Sequence, residues 1–282
     1  MPTPNQKQES NLVVQRPSEI KPDFTPSLLY WGPAKSGKTH FALTAGDRSL
    51  FISNGMGSAT IQNQQFKSLN NFIINVPFDD FDNPIRSFDL VDNAVEIGLT
   101  DLKDQIDTII VDDASAQTRS GYIKALEFND SMGKSQTLDK IRKSKMNELI
   151  LFPGDYGTEM DMTMQFWAHV ISECKRAGKN FILLAHERIV YSPPPKMGEQ
   201  PSIIKKIPAF TGADKNPDRI AGLFDWVMHT RTVVSGDKII YQAETKGDSS
   251  LMAGCRGKAQ EIFPKLITNP NFLAMLNQVR AV

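Results

Sequence analysis

Eight consecutive residues, Gly32-Pro33-Ala34-Lys35-Ser36-Gly37-Lys38-Thr39, constrain this chain more than any other stretch. They fit the pattern GxxxxGK[ST] at every fixed position, and they stand in the context that gives the pattern structural meaning. Upstream, Ser27–Trp31 is a short apolar run bounded by Pro26 and Gly32, the mark of a buried strand; downstream, Thr39–Ala45 has helical character. A strand turning through such a loop into a helix offers an anion a row of backbone N–H groups and the positive end of the helix. Glycine lets the turn close tightly. In that frame Lys38 reaches the β- and γ-phosphates of a nucleoside triphosphate and the Thr39 hydroxyl serves Mg²⁺. Residues 32–39 and the following His40 are therefore the expected nucleotide cradle, with ATP and Mg²⁺ as its expected cofactors.

The rest of the chain alternates strand-like and helix-like segments. Strands are expected at Arg48–Ser53, Asn71–Val76, Thr108–Val111, Phe181–Ala185, Trp226–Arg231 and Lys238–Gln242. Helices are expected over Ile85–Leu99, over much of 114–150, over Thr158–Ala177 and near Phe272–Val279. Such alternation gives the α/β class: a mostly parallel central sheet flanked by helices, with the closely spaced late strands adding an antiparallel extension near the C-terminus. Residues 1–24, rich in Pro, Gln, Asn and Ser, are expected to form a flexible N-terminal arm, and 25–282 one domain. Residues 191–218, with Pro193-Pro194-Pro195, are expected to be a long loop.

A nucleotide loop needs a carboxylate for its metal. The apolar run Thr108–Val111 leads straight into Asp112-Asp113, so Asp112 falls at the carboxyl end of a buried strand, where ligands of open α/β sheets bind. Asp112 is the expected metal-side residue, acting through water. The plainer reading, a strand-end Asp that caps the next helix, fits Asp113 better than Asp112. Phe181–Ala185 similarly delivers His186 and Glu187 to a strand end, where His186 is placed to sense a γ-phosphate.

Taken in order, Trp31–Thr39, the TIIVDD run ending at Asp113, Asp155-Tyr156-Gly157 and the FILLAHE run ending at Glu187 resemble the RecA-like, AAA-type nucleotide-binding proteins of bacteriophages, which include phage single-strand annealing ATPases. Pro208–Gly212, Leu223–Val227 and Ala253–Gly257 extend the likeness over about residues 26–266. The resemblance implies a RecA-like P-loop core, ATP and Mg²⁺, homo-oligomers (ring or filament) with nucleotide at subunit interfaces, and single-stranded DNA as partner. It also implies that Arg256, or Lys246 nearby, reaches a neighbouring subunit's nucleotide. Two departures stand out. The stretch Phe51–Gly57 lacks the Glu expected after the second strand, which leaves Glu187 or Asp113 to orient a water. Gly254 replaces a Lys.

Lys+Arg and Asp+Glu both number 32, which excludes a chain coated in positive charge on every face. The balance is not local. Phe51–Asp113 carries three basic and eleven acidic residues, Arg119–Lys145 seven and three, and Lys175–Lys206 seven and two. In the family frame the two basic segments face DNA, with Arg188, Lys196, Lys205 and Lys206 as candidate phosphate contacts and Tyr191 for base stacking. Two scattered cysteines, Cys174 and Cys255, suit a reducing compartment. A polar N-terminus and the lack of any apolar run of about 18 residues point to a cytoplasmic chain with no membrane partner, in the bacterial host if phage-encoded. The functional expectation is a phage recombination protein that binds ATP–Mg²⁺ and single-stranded DNA, anneals or pairs strands, and has ATPase turnover as its candidate enzymatic step. A phage single-strand binding protein is a candidate partner. Two alternatives stand beside it: a motor or loader ATPase of phage replication or packaging, and a non-hydrolysing, nucleotide-stabilised assembly module.

Overall fold

The computed structural model of the chain describes residues 24–53, 71–77, 87–132, 153–193, 200–210 and 216–282. Its centre is a run of six parallel strands in the order β7-β1-β5-β4-β2-β3. These are β1 (Ser27–Gly32), β2 (Ser49–Ser53), β3 (Phe72–Asn75), β4 (Thr108–Asp112), β5 (Asn180–Tyr191) and β7 (Trp226–Ser235). Antiparallel strands complete a ten-stranded sheet. β8 (Lys238–Glu244) pairs with β7, β10 (Leu266–Thr268) with β8, β6 (Ile203–Pro208) with β5, and β9 (Gly254–Cys255) with β7. The mixed α/β class, the mostly parallel sheet and the antiparallel strands toward the C-terminus all match the expectation.

Why the central strands are strands follows from burial on both faces. β1, β2 and β4 are buried at every position, and so is β5 from Asn180 to Ala185. Such strands are near-continuous apolar runs rather than alternating ones. The pleat nevertheless divides the side chains between two cores. Leu29, Trp31, Ile109, Val111, Phe181 and Leu183 pack on one face against α2 (Ser87–Leu99) and α4 (Pro153–Arg176), through Val91, Val95, Trp167 and Val170. Leu28, Tyr30, Ile110, Ile182 and Leu184 pack on the other against α1 (Lys38–Leu43) and α7 (Phe272–Arg280), through Phe41, Phe272, Met275 and Leu276. Among the described residues the remaining helices are α3 (Ala114–Ser131), α5 (Asn216–Ala221) and α6 (Lys258–Ile262). No helix among the described residues is long and apolar enough to cross a membrane.

Three differences from the sequence-based expectation matter for the site. β5 runs to Tyr191, well past Ala185, and pairs with β6, so the expected 191–218 loop contains a strand and the start of the short helix α5. α4 starts at Pro153, five residues before the expected start; proline suits a first helical turn because its missing N–H has no partner there. Phe24, assigned to the N-terminal arm, lies with its ring 5.6 Å from Trp226, while residues 1–23 fall outside the described residues.

Candidate functional site

β1 and β4 end side by side where β5 runs on past them, and the residues at that level build the site. Gly32 closes β1 level with His186 of β5, and Asp112 closes β4 level with Leu184. Between β1 and α1 the chain makes its tight loop, with Lys35 at φ 61° and Gly37 at φ 84°. Two glycines are required there for different reasons. A Cβ on Gly32 would stand 2.3 Å from the Thr230 carbonyl oxygen of β7, so only glycine permits this close backbone approach. At Gly37 the positive φ coincides with the Tyr241 ring, which occupies the space a Cβ would take.

Lys38 is buried, and its Nζ donates to the Gly32 carbonyl at 3.0 Å and the Pro33 carbonyl at 2.7 Å. Burial pulls the ammonium below its ordinary pKa, and the negative charges of Asp112, Asp113 and Glu187 oppose that pull. Ser36 is also buried, and its hydroxyl has no hydrogen-bond partner among the described residues. An orphaned hydroxyl beside a buried ammonium and loop N–H groups fits an anionic ligand such as a phosphate chain.

The oxygen donors lie on the β4 side. Thr39 Oγ1 donates to Asp112 Oδ2 at 2.9 Å. Asp112 is raised to about 6, mainly because burial penalises its charge; the Thr39 hydrogen bond and Lys38 work in the opposite direction. A hydroxyl and one carboxylate form a hard, oxygen-only set that suits Mg²⁺, an ion that keeps several waters and shares its shell with substrate phosphates. No cluster of three or more His, Cys, Asp or Glu able to hold a metal by itself occurs among the described residues.

Asp113 and His186 form a second pair, with His186 Nε2 2.9 Å from Asp113 Oδ2. The Lys38 ammonium, which has only donors, stands 3.5 Å from His186 Nδ1, so the Nε2–H tautomer satisfies both contacts. The His186 backbone N–H donates to Ser115 Oγ at 3.1 Å, fixing the middle of β5 against the start of α3. Five predicted side chains, Lys38, Thr39, Asp112, Asp113 and His186, thus come together.

Glu187 points into a different group. Its Oε2 lies 2.7 Å from His229 Nε2, and His229 Nδ1 lies 3.0 Å from Glu244 Oε2. The ring thus bridges the two carboxylates through its two nitrogens. Lys206 stands 3.8 Å from Glu187 and Arg231 3.5 Å from Glu244, closing the chain of charges at both ends. The His229 ring packs at 4.5 Å from Trp31 and is 2 % exposed. Sequence reasoning missed His229, Glu244 and Tyr241. The available signal was a lone histidine inside the apolar strand Trp226–Thr230, which calls for charged neighbours once buried.

The remaining candidates lie apart from this centre. Arg188 and Lys205 share one face of the β5–β6 ribbon, while strand alternation turns Lys206 to the other. Lys205 bonds Asp218 at 2.8 Å. Lys196 and the Asn54–Gly57 stretch lie outside the described residues. Arg256 sits at the far edge of the sheet: Cys255 pairs with Trp226, which aligns with Leu28 near the start of β1, and Arg256 donates to the Gly222 carbonyl.

Comparison with known proteins agrees with this geometry. A family model described as an AAA domain matches residues 25–254, whereas no curated protein matches the chain.

Proposed function

The chain belongs to the AAA-domain family, and from that premise we propose that it binds and hydrolyses ATP with Mg²⁺ and couples this cycle to single-stranded DNA in phage recombination, by annealing or strand pairing. The observation that carries the reading is the convergence of Lys38, the Thr39–Asp112 pair and the Asp113–His186 pair on one loop, at the ends of β1 and β4 and beside the middle of β5. Lys38, Ser36 and the loop N–H groups hold the phosphates, and Thr39 and Asp112 hold the metal's shell. Bound Mg²⁺ supplies neutralisation of phosphate charge. Asp113, oriented by His186, positions the attacking water; Glu187, tied to His229, is the less available carboxylate.

DNA is assigned to the β5–β6 ribbon, where Arg188 and Lys205 share a face and Tyr191 is half-exposed at the tip. Basic side chains tracking phosphates beside an aromatic ring are the elements of a single-strand groove. Arg256 lies at the sheet edge opposite its own loop, so a role at a nucleotide requires a neighbouring copy of the chain in a homo-oligomer. Phosphate release with and without single-stranded DNA tests the reading. Wild type is expected to release phosphate faster with DNA and Lys38→Ala to release none. Equal rates in the two proteins contradict the site, and ATP binding without release replaces turnover by a nucleotide-stabilised assembly.

A further inference from the structure

The groups suited to the metal and the terminal phosphate all come from β4, β5 and the start of α1. Asp112 and Asp113 follow β4, and His186 lies on β5, both on one side of β1 in the sheet. The triphosphate therefore has its γ-end fixed toward β4 and β5. The side of β1 away from those groups is open to its nucleoside end, and there the β7–β8 hairpin rises past the loop.

On that side stands Tyr241. β8 pairs it with Thr232, one strand position beyond the level of Arg231 and Gln242, in the part of the β7–β8 hairpin that continues past Trp31. Its ring covers Gly37, with Cδ1 and Cε1 2.4 and 2.6 Å from where a Cβ would be. His40, the first residue after the loop motif, lies with its ring 5.2 Å from the tyrosine ring at an interplanar angle of 31°. The backbone beneath is pinned: the Tyr241 N–H donates to Asn269 Oδ1 at 3.2 Å, and the Asn269 N–H donates to the Tyr241 carbonyl at 2.7 Å. The ring is only partly buried, so part of it faces solvent at the mouth of the loop. Two aromatic rings held in place beside the nucleoside end of a phosphate cradle match the chemistry of a purine or pyrimidine, whose π-face stacks on such rings.

We propose that Tyr241, backed by His40, is the platform on which the base of the bound nucleotide stacks. This assignment rests on the nucleotide reading of the loop and extends it to the part of the ligand the loop does not touch. Stacking of a base on an aromatic side chain corresponds to roughly 5- to 150-fold in affinity. It contributes for ATP and is absent for inorganic tripolyphosphate, which has the same phosphates and no base.

Calorimetric titration of ATP and of tripolyphosphate, both with Mg²⁺, separates the two. Wild type is expected to bind ATP more tightly than tripolyphosphate. Tyr241→Leu keeps apolar cover over Gly37 while removing the π-face, and is expected to lose 5- to 150-fold for ATP with tripolyphosphate unchanged within about twofold. Tyr241→Phe is expected to retain wild-type affinity for both. Equal losses for the two ligands, or no loss for ATP, overturn the platform. Wild-type binding of tripolyphosphate as tight as ATP overturns it while leaving the phosphate site standing. Binding of neither ligand by wild type overturns the nucleotide reading and the platform together.

Discussion

Asn180–Ala185, the inner half of β5, is buried between β1 and β4, whereas Glu187–Tyr191 has left them and runs beside β6. His186, level with Gly32, marks the changeover. The backbone path is continuous, but the constraints are not. The inner half supplies both cores, so each residue there is chosen for volume. The outer half carries Glu187, Arg188 and Tyr191, chosen for charge and aromatic surface. The proposed nucleotide site sits at the changeover, where a side chain is desolvated enough for strong electrostatics yet open on one side to a ligand. β4 and β1 stay buried to their last residues, but there the side chains change in kind, from Val111 to Asp112 and from Trp31 to Gly32.

The largest contrast is expected in stability. Leu183→Ala removes a fully buried side chain and is expected to cost about 2–5 kcal/mol, while Val190→Ala in the outer half is expected to cost under about 1 kcal/mol, both by urea unfolding. Similar costs would erase the division of β5.

A smaller effect separates the faces of the outer half. Arg188→Ala is expected to weaken single-strand binding several-fold and to reduce the salt slope by about one, with ATP affinity unchanged. Lys206→Ala, on the opposite face and beside Glu187, is expected to leave DNA affinity near wild type. Equal losses from both variants would place DNA somewhere other than the Arg188 face.

The smallest effect lies at the other end of the sheet. Asp225 accepts hydrogen bonds from the Ser27 N–H and hydroxyl, tying the start of β7 to the start of β1. Burial pushes this carboxyl up, but hydrogen bonds from Lys175 and Ser27 outweigh it and hold it below its ordinary value. A carboxylate with a lowered folded-state pKa stabilises the fold above its unfolded pKa and loses that contribution as pH falls through the folded one. Asp225→Asn is therefore expected to lower stability at neutral pH and to flatten the acid limb of the curve of stability against pH. An unchanged acid limb would remove Asp225 from that role.

How much of this was legible in the sequence follows the same division. β1, β2, β4 and the inner half of β5 are apolar on both faces, so composition alone marks them, and a loop of fixed spacing marks the cradle between β1 and α1. Asp112 and His186 were legible because each directly follows such a run. The outer half of β5 and its partner β6 were not, because charged residues and proline there resemble a loop until cross-strand pairing is known. Tyr241 and Glu244 were illegible for another reason: the hairpin that carries them is about 200 residues away from the loop in sequence, and only the sheet order places it next to β1.

Mg²⁺-dependent ATP binding by wild type and by Asp112→Asn, measured by calorimetry with and without the metal, tests the nucleotide site most directly. Wild-type affinity is expected to rise with Mg²⁺ and that of Asp112→Asn to gain little from it, because the variant loses the carboxylate that Thr39 holds in place. Equal Mg²⁺ enhancement in the two proteins would contradict a metal shell built on Thr39 and Asp112.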